Sequence, residues 1–192
     1  MLRVEALLCS SLVLLLACGG RTGTPATGAS EPEAKSVPRC GMLLSSPAFN
    51  DGRPIPVQYT GDGGNLSPEL NWTDVPESTK SFALICSDPD APSGTFIHWI
   101  IFNIPAYAKG LAQGIPAGAS SLPNGTGQGQ NSAGRIGYTG PKPPPGKPHR
   151  YFFRLYALDT ILDLQEPNTS GLEAAMQDHT LGFAEMMGTY QR

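Results

Sequence analysis

The sequence predicts a mainly β domain, an antiparallel β-sandwich with a C-terminal helix, on three observations. Two runs, 82–86 (Phe-Ala-Leu-Ile-Cys) and 96–102 (Phe-Ile-His-Trp-Ile-Ile-Phe), are apolar throughout except for one histidine, the pattern of strands covered on both faces. The chain holds 23 glycines and 19 prolines in 192 residues with only 8% aromatics, a composition that favours loops and short strands over a helical bundle. A stripe of helical period occurs only near the C-terminus.

Net charge is −3 and charged residues make up 15% of the chain. With no basic run, a nucleic-acid partner is excluded, because such binding needs a basic footprint. The N-terminus reads as a targeting segment, with Arg3 ahead of an apolar stretch over 6–16. That stretch is shorter than the ~20 residues that span a bilayer. Leu15-Leu16-Ala17-Cys18 has the form of a lipobox, cut before Cys18 and lipidated there; the alternative is an ordinary signal peptide with a chance cysteine. Residues 19–37 offer almost nothing to bury, and a flexible coil of about 20 residues spans ~25 Å. The expected organisation is a lipoprotein signal peptide at 1–17, a flexible tether at 18–38 and a folded domain at 39–192. The expected location is outside the cytoplasm, anchored by lipid to a bacterial membrane and facing the periplasm or the cell surface. Of four cysteines, Cys9 leaves with the signal and Cys18 carries lipid. Cys40 and Cys86 either form a disulfide, which an exported compartment permits, or stay apart with Cys86 as a buried thiol.

Within the domain, Asn50-Asp51-Gly52 signals a turn and 55–59 a short strand after it. Residues 61–65 form a flexible loop, and 66–72 lead to a strand ending in Trp72. Strands over 81–87 and 96–104 form the centre. Residues 105–135 have no period that supports a long element, and loops of that length are often functional. From 149 to 158 the residues alternate, placing His149, Tyr151, Phe153, Leu155 and Ala157 on one face. The last element is expected to be helical. Ser170 and Glu173 form a capping box, an apolar stripe runs through Leu172, Ala175, Met176, Phe183, Met186 and Met187, and Gly188 ends it. His179 falls on this helix and is read as structural.

The chemistry concentrates in two stretches. In Ser87-Asp88-Pro89-Asp90-Ala91-Pro92, the prolines fix their own φ and push Asp88 and Ala91 to extended backbone, so both carboxylates sit on a stiff loop. His98 follows just inside the next strand. The second stretch is the Gly- and Pro-rich loop from Gly137 to Pro148, ending in His149-Arg150-Tyr151. Each histidine taken alone is as readily a hydrogen-bonded core residue as a ligand contact. Arg150 and Arg154 read as surface or ion-paired residues.

Together, the Asp-Pro-Asp-Ala-Pro segment, the His98-Trp99 pair and the later loop ending in His-Arg-Tyr resemble the phosphatidylethanolamine-binding protein family. The likeness is to its bacterial, Raf-kinase-inhibitor-like branch and runs from about Phe49 to the C-terminus. The resemblance implies a pocket for phosphate-type head groups. Its ligand residues would be Asp88, Asp90, His98, Tyr138, Gly140, His149 and Tyr151, with Asp90 bracing the loop and Tyr138 at its entrance. It also implies that the 105–135 excursion lies near this pocket as a wall or lid. The bacterial pattern often has cysteine where Lys142 stands here, so this chain gains a charge at the pocket mouth and lacks a thiol.

Imidazole nitrogens and turn amides near Gly140 suit an anion, and a nearby carboxylate holds a histidine charged. The expected role is therefore binding of a small anionic ligand or phospholipid head group, with modulation of a partner protein as a further expectation and no cofactor. Two alternatives compete. A hydrolase would use His98 or His149 as general base, but no Gly-x-Ser-x-Gly setting supplies a nucleophile. A metal site of two histidines and one carboxylate has the right side chains but no recognised ligand spacing. Expected partners are the ligand and the membrane reached through Cys18; the oligomeric state is left open between monomer and homodimer.

Overall fold

A computed structural model describes residues 41–165 and 167–192. The expected signal peptide, Cys18, the tether and Cys40 lie outside the described residues. Among those described, no helix is long and apolar enough to cross a membrane.

Two sheets carry the fold. The smaller pairs β1 (Leu43–Ser45), β3 (Leu70–Thr73) and β6 (Gly110–Leu111), in the order β1-β3-β6. The larger contains β2 (Arg53–Pro54), β4 (Ser81–Asp88), β5 (Phe96–Pro105), β7 (Gly127–Gln128), β8 (His149–Leu158) and β9 (Thr180–Tyr190). Its order is β2-β9-β8-β4-β5-β7, and every pairing is antiparallel except β2 with β9.

The fully apolar runs behave as their sequence requires. Every residue of β4 is buried, and adjacent side chains serve opposite cores. Leu84 joins the cluster beneath the small sheet, where the Trp72 ring lies 5.1 Å from Phe82. Ile85 joins a second cluster, covered by Leu172 and Met176 of a short helix, α1 (Thr169–Met176). Cys86 is a buried free thiol, and burial pushes its ionisation well up. The alternation in β8 also holds: Tyr151, Phe153, Leu155 and Ala157 are buried on one face.

Three expectations are corrected. The 55–59 strand is replaced by the two-residue β2 followed by a 3₁₀ turn at Val57–Tyr59. Pro54 and Pro56 have no N–H to give a ladder, so only Ile55 extends the pairing, donating to Thr189 O at 2.7 Å. The C-terminal helix is real but stops at Met176, and Asn168 caps it by accepting from Gly171 N, rather than Ser170. Residues 180–190 form β9 instead of continuing the helix. Finally, His179 lies beyond the helix and contacts Asp159 at 2.8 Å on the surface.

Candidate functional site

The site lies where β4 ends, β5 begins and β8 begins. β4 pairs with both strands, so the end of β4, carrying Asp88, is held between the segment bearing His98 and the start of β8, bearing His149 and Tyr151. A pocket of about 200 Å³ opens there, lined by Asp88, Phe96, His98, Thr139, His149 and Tyr151 together with the 91–93, 140 and 142–144 segments. That is below the ~300–1,000 Å³ of sites for drug-sized ligands and suits a small group.

Asp88 anchors the arrangement. Its Oδ2 lies 2.7 Å from His149 Nδ1, and its Oδ1 accepts from Asp90 N at 2.8 Å, closing the acidic loop on itself. A carboxylate oxygen accepts, so His149 carries its proton on Nδ1 and turns Nε2 to other uses.

His98 is fixed differently. Its Nδ1 lies 2.6 Å from Thr139 O, and Thr139 N donates back to His98 O at 2.9 Å. A carbonyl can only accept, so Nδ1 holds the proton and the neutral ring presents a bare Nε2. Burial lowers the pKa of His98 below its usual 6.5 and His149 adds to the lowering, against opposing contributions from the Thr139 carbonyl and Asp88. Phe96 and Tyr151 flank the ring at 4.8 and 5.1 Å. The Tyr151 hydroxyl is buried and has no well-formed hydrogen bond. Burial first, then the charge of Asp88, raises its pKa, so it stays a neutral donor.

Five of the seven expected residues, Asp88, His98, Gly140, His149 and Tyr151, thus line one pocket. Asp90 stands outside its lining. Its two carboxylate oxygens take the Nη2 and Nε of Arg150 at 2.7 and 2.9 Å, and the Arg150 backbone N as well. The loop is thereby clamped to β8, and the Arg150 guanidinium holds the Asp90 carboxyl down at about 2. Arg150 and Arg154 are both ion-paired, the latter to Glu185.

Tyr138 points elsewhere: its hydroxyl donates to Tyr59 O, and its ring packs edge-on against Trp99. The backbone N–H of Gly140 is already committed to Asn65 Oδ1 at 2.7 Å, so it is not a free anion donor. Glycine is required there because a Cβ would fall 2.5 Å from Tyr59 O. Residues 105–135 do not line this pocket. They brace it from behind, Asn131 Nδ2 donating to Gly137 O and Thr139 Oγ1 and Ser132 Oγ accepting from Ile97 N.

Phe96 and Thr139 were missed as lining residues. Phe96 precedes His98 by two positions on one strand and so shares its face, a signal present in the sequence. Thr139 had none, since its contribution is a backbone carbonyl. Among the described residues, no group of three His, Cys, Asp or Glu side chains is arranged to hold a metal ion.

The profile of the phosphatidylethanolamine-binding protein family matches residues 45–191. The chain belongs to that family. A UPF0098 protein of Methanothermobacter thermautotrophicus is 54% identical over 153 residues, covering 79% of this chain and 99% of its own. A second UPF0098 protein, from Chlamydia trachomatis, is 44% identical over 157 residues, again 79% and 99% of the two chains. Among solved structures, a putative phosphatidylethanolamine-binding protein homologue from Chlamydia trachomatis superposes with a TM-score of 0.71 at 43% identity, over 79% of this chain and 97% of that one. E. coli YbcL, described as a member of the mammalian phosphatidylethanolamine-binding protein family, gives 0.71 at 34% identity, over 79% and 98%. These matches fit the architecture of the described residues, two sheets of mostly strands with one α-helix.

Proposed function

We propose that this family member binds a small anionic ligand, a phosphate or phospholipid head group, in the pocket between Asp88, His98 and His149. The observation that carries the reading is the Asp88–His149 pair. With Nδ1 given to the carboxylate, Nε2 of His149 is left to the pocket. A ligand phosphate would place negative charge on both sides of the ring, which favours imidazolium and a charged hydrogen bond. Tyr151 adds a neutral donor and Lys142 a cation at the mouth. The name of the family, and of the matched structures, supports the head-group assignment.

A hydrolytic role needs a nucleophile beside its base. Among the described residues, no serine, threonine or cysteine side chain hydrogen-bonds to either histidine, so binding has the greater support. The lipobox at Cys18 and the spacer after it support a protein held at a membrane from outside the cytoplasm, where head groups are at hand. Modulation of a partner protein would follow from ligand occupancy at the pocket rim.

Calorimetric titration of phosphoethanolamine tests the pocket. His98→Ala, His149→Ala and Asp88→Asn should each weaken binding about tenfold or more. The Asp88 variant is the informative one, because simple repulsion of an anion predicts tighter binding on loss of that charge. Unchanged affinity in all three, with folding intact, removes the pocket. Separately, Cys18→Ser should release the protein from membrane pellets and abolish its acyl mass; a variant that still sediments, beside a wild type with no acyl mass, ends the lipid-anchor reading.

A further inference from the structure

We propose that the cleft adjoining this pocket is a second, separate anion subsite, in which Arg135 supplies the charge for a phosphate or carboxylate group. The cleft has a volume of about 450 Å³ and is lined by Asn65, Arg135, Tyr138 and Thr139 with residues 117, 118 and 136. It shares Thr139 with the first pocket, yet its chemistry differs.

The first pocket contains the carboxylate of Asp88; no acidic residue lines the second. Arg135 is exposed, and its guanidinium has no ion-pair or hydrogen-bond partner among the described residues. Of the other exposed arginines among the described residues, Arg150 and Arg192 are paired with Asp90 and Asp62, while Arg53, which does not line the cleft, has no ion pair. Asn65 Oδ1 accepts from Gly140 N, and neither proton of its amide nitrogen has a partner among the described residues. Thr139 accepts at Oγ1 from Asn131, so its own hydroxyl proton is free to donate. The side-chain groups left over are a guanidinium, an amide NH₂ and a hydroxyl, all donors. A wall offering donors without a competing carboxylate selects an oxyanion, and the planar guanidinium can hold two of its oxygens together.

The cleft is built rather than incidental. Its far wall, the 116–119 loop, is tied down by the fully buried Gln128, whose Nε2 donates to Pro116 O and Ala119 O, both at 2.9 Å. Gly118 N then donates to Ile136 O at 2.9 Å across the cleft floor. The part of 105–135 expected to wall the first pocket thus walls this one.

Titration of inorganic phosphate into the ¹⁵N-labelled protein, followed by NMR, tests the subsite. The amides of Gly118 and Ile136 report the cleft; the ring signals of His149 report the first pocket independently. Saturable shifts at Gly118 and Ile136 are expected. Their apparent affinity should fall about tenfold or more in Arg135→Gln, fall less in Arg135→Lys, and persist in His149→Ala. No saturable shift at these amides, or the same titration in Arg135→Gln, overturns the proposal. Movement of the His149 signals alone would do so while leaving the first pocket standing.

Discussion

His149 and Asp88 meet at 2.7 Å, Nδ1 to Oδ2, although 61 positions separate them in the chain. The Asp88 side chain is only 5% exposed, so removing the histidine strands a carboxylate that water barely reaches. His149→Ala should therefore cost roughly 3 kcal/mol in urea unfolding. Adding Asp88→Asn to it should restore part of that loss, because no buried charge then remains. A double variant less stable than His149→Ala would show that the pair is not coupled in this way.

His98 sets a pH dependence whose sign follows from its burial. Its native pKa lies below 6.5, so just under that value the unfolded chain takes up a proton that the native ring refuses. The unfolded state then binds more protons, and stability falls as pH drops from about 6.5. The ring signals of His98 should titrate below 6.5 by NMR. His98→Gln should flatten the slope of stability against pH in this window. A native midpoint at or above 6.5 would reverse the assignment.

Asp90 gives the opposite kind of lever, at lower pH. With the native carboxyl at about 2 and an ordinary value of 3.8, its contribution is complete above 3.8 and is lost as pH falls through about 2. Arg150→Ala removes the guanidinium but keeps the backbone N–H that also donates to Asp90. The Asp90 carboxyl, followed by its ¹³C resonance, should then titrate above about 2, moving towards 3.8. If it still titrates near 2, something other than the guanidinium holds it down.

Gln128 accepts from Trp99 Nε1 at 2.9 Å while donating to two loop carbonyls. Gln128→Leu keeps the bulk and strands all three groups. A cost of about 2–4 kcal/mol is expected in urea unfolding, with sharper amide exchange at 116–119 than elsewhere. A variant as stable as wild type would mean that the loop holds itself.

The centre of the fold was legible because it rests on local patterns, unbroken apolar runs and strict alternation after His149, while the seven candidate site residues came from the family resemblance, and five of them line one pocket. The last strand was hidden for a physical reason. Its inward positions are Gly182, Ala184, Met186 and Gly188, so two of the four have no side chain to register a period of two. The outward Phe183 and Met187 then completed a false helical stripe. Gly188 looked like a helix stop, but it is glycine because a Cβ there would sit 2.5 Å from Ile55 and 2.8 Å from Phe49. Tyr138 and the Gly140 amide were misread because their partners, Tyr59 O and Asn65, come from a loop some 75 residues upstream. No local pattern carries that information.

The position of β9 also bears on the order in which the domain can be completed. It lies between β2 and β8, inside the large sheet, yet it comes last in the chain among the strands of that sheet. Chains emerge at ~5–20 residues per second and fold from the N-terminal side. Until residues 180–190 arrive, β8 presents a bare hydrogen-bonding edge, and β2 has no neighbour. An edge of that kind invites pairing with another chain. The strand that brings His149 and Tyr151 to the pocket therefore keeps one edge open until β9 is added, and β2, whose partner is also β9, waits from the start of the domain for the same strand.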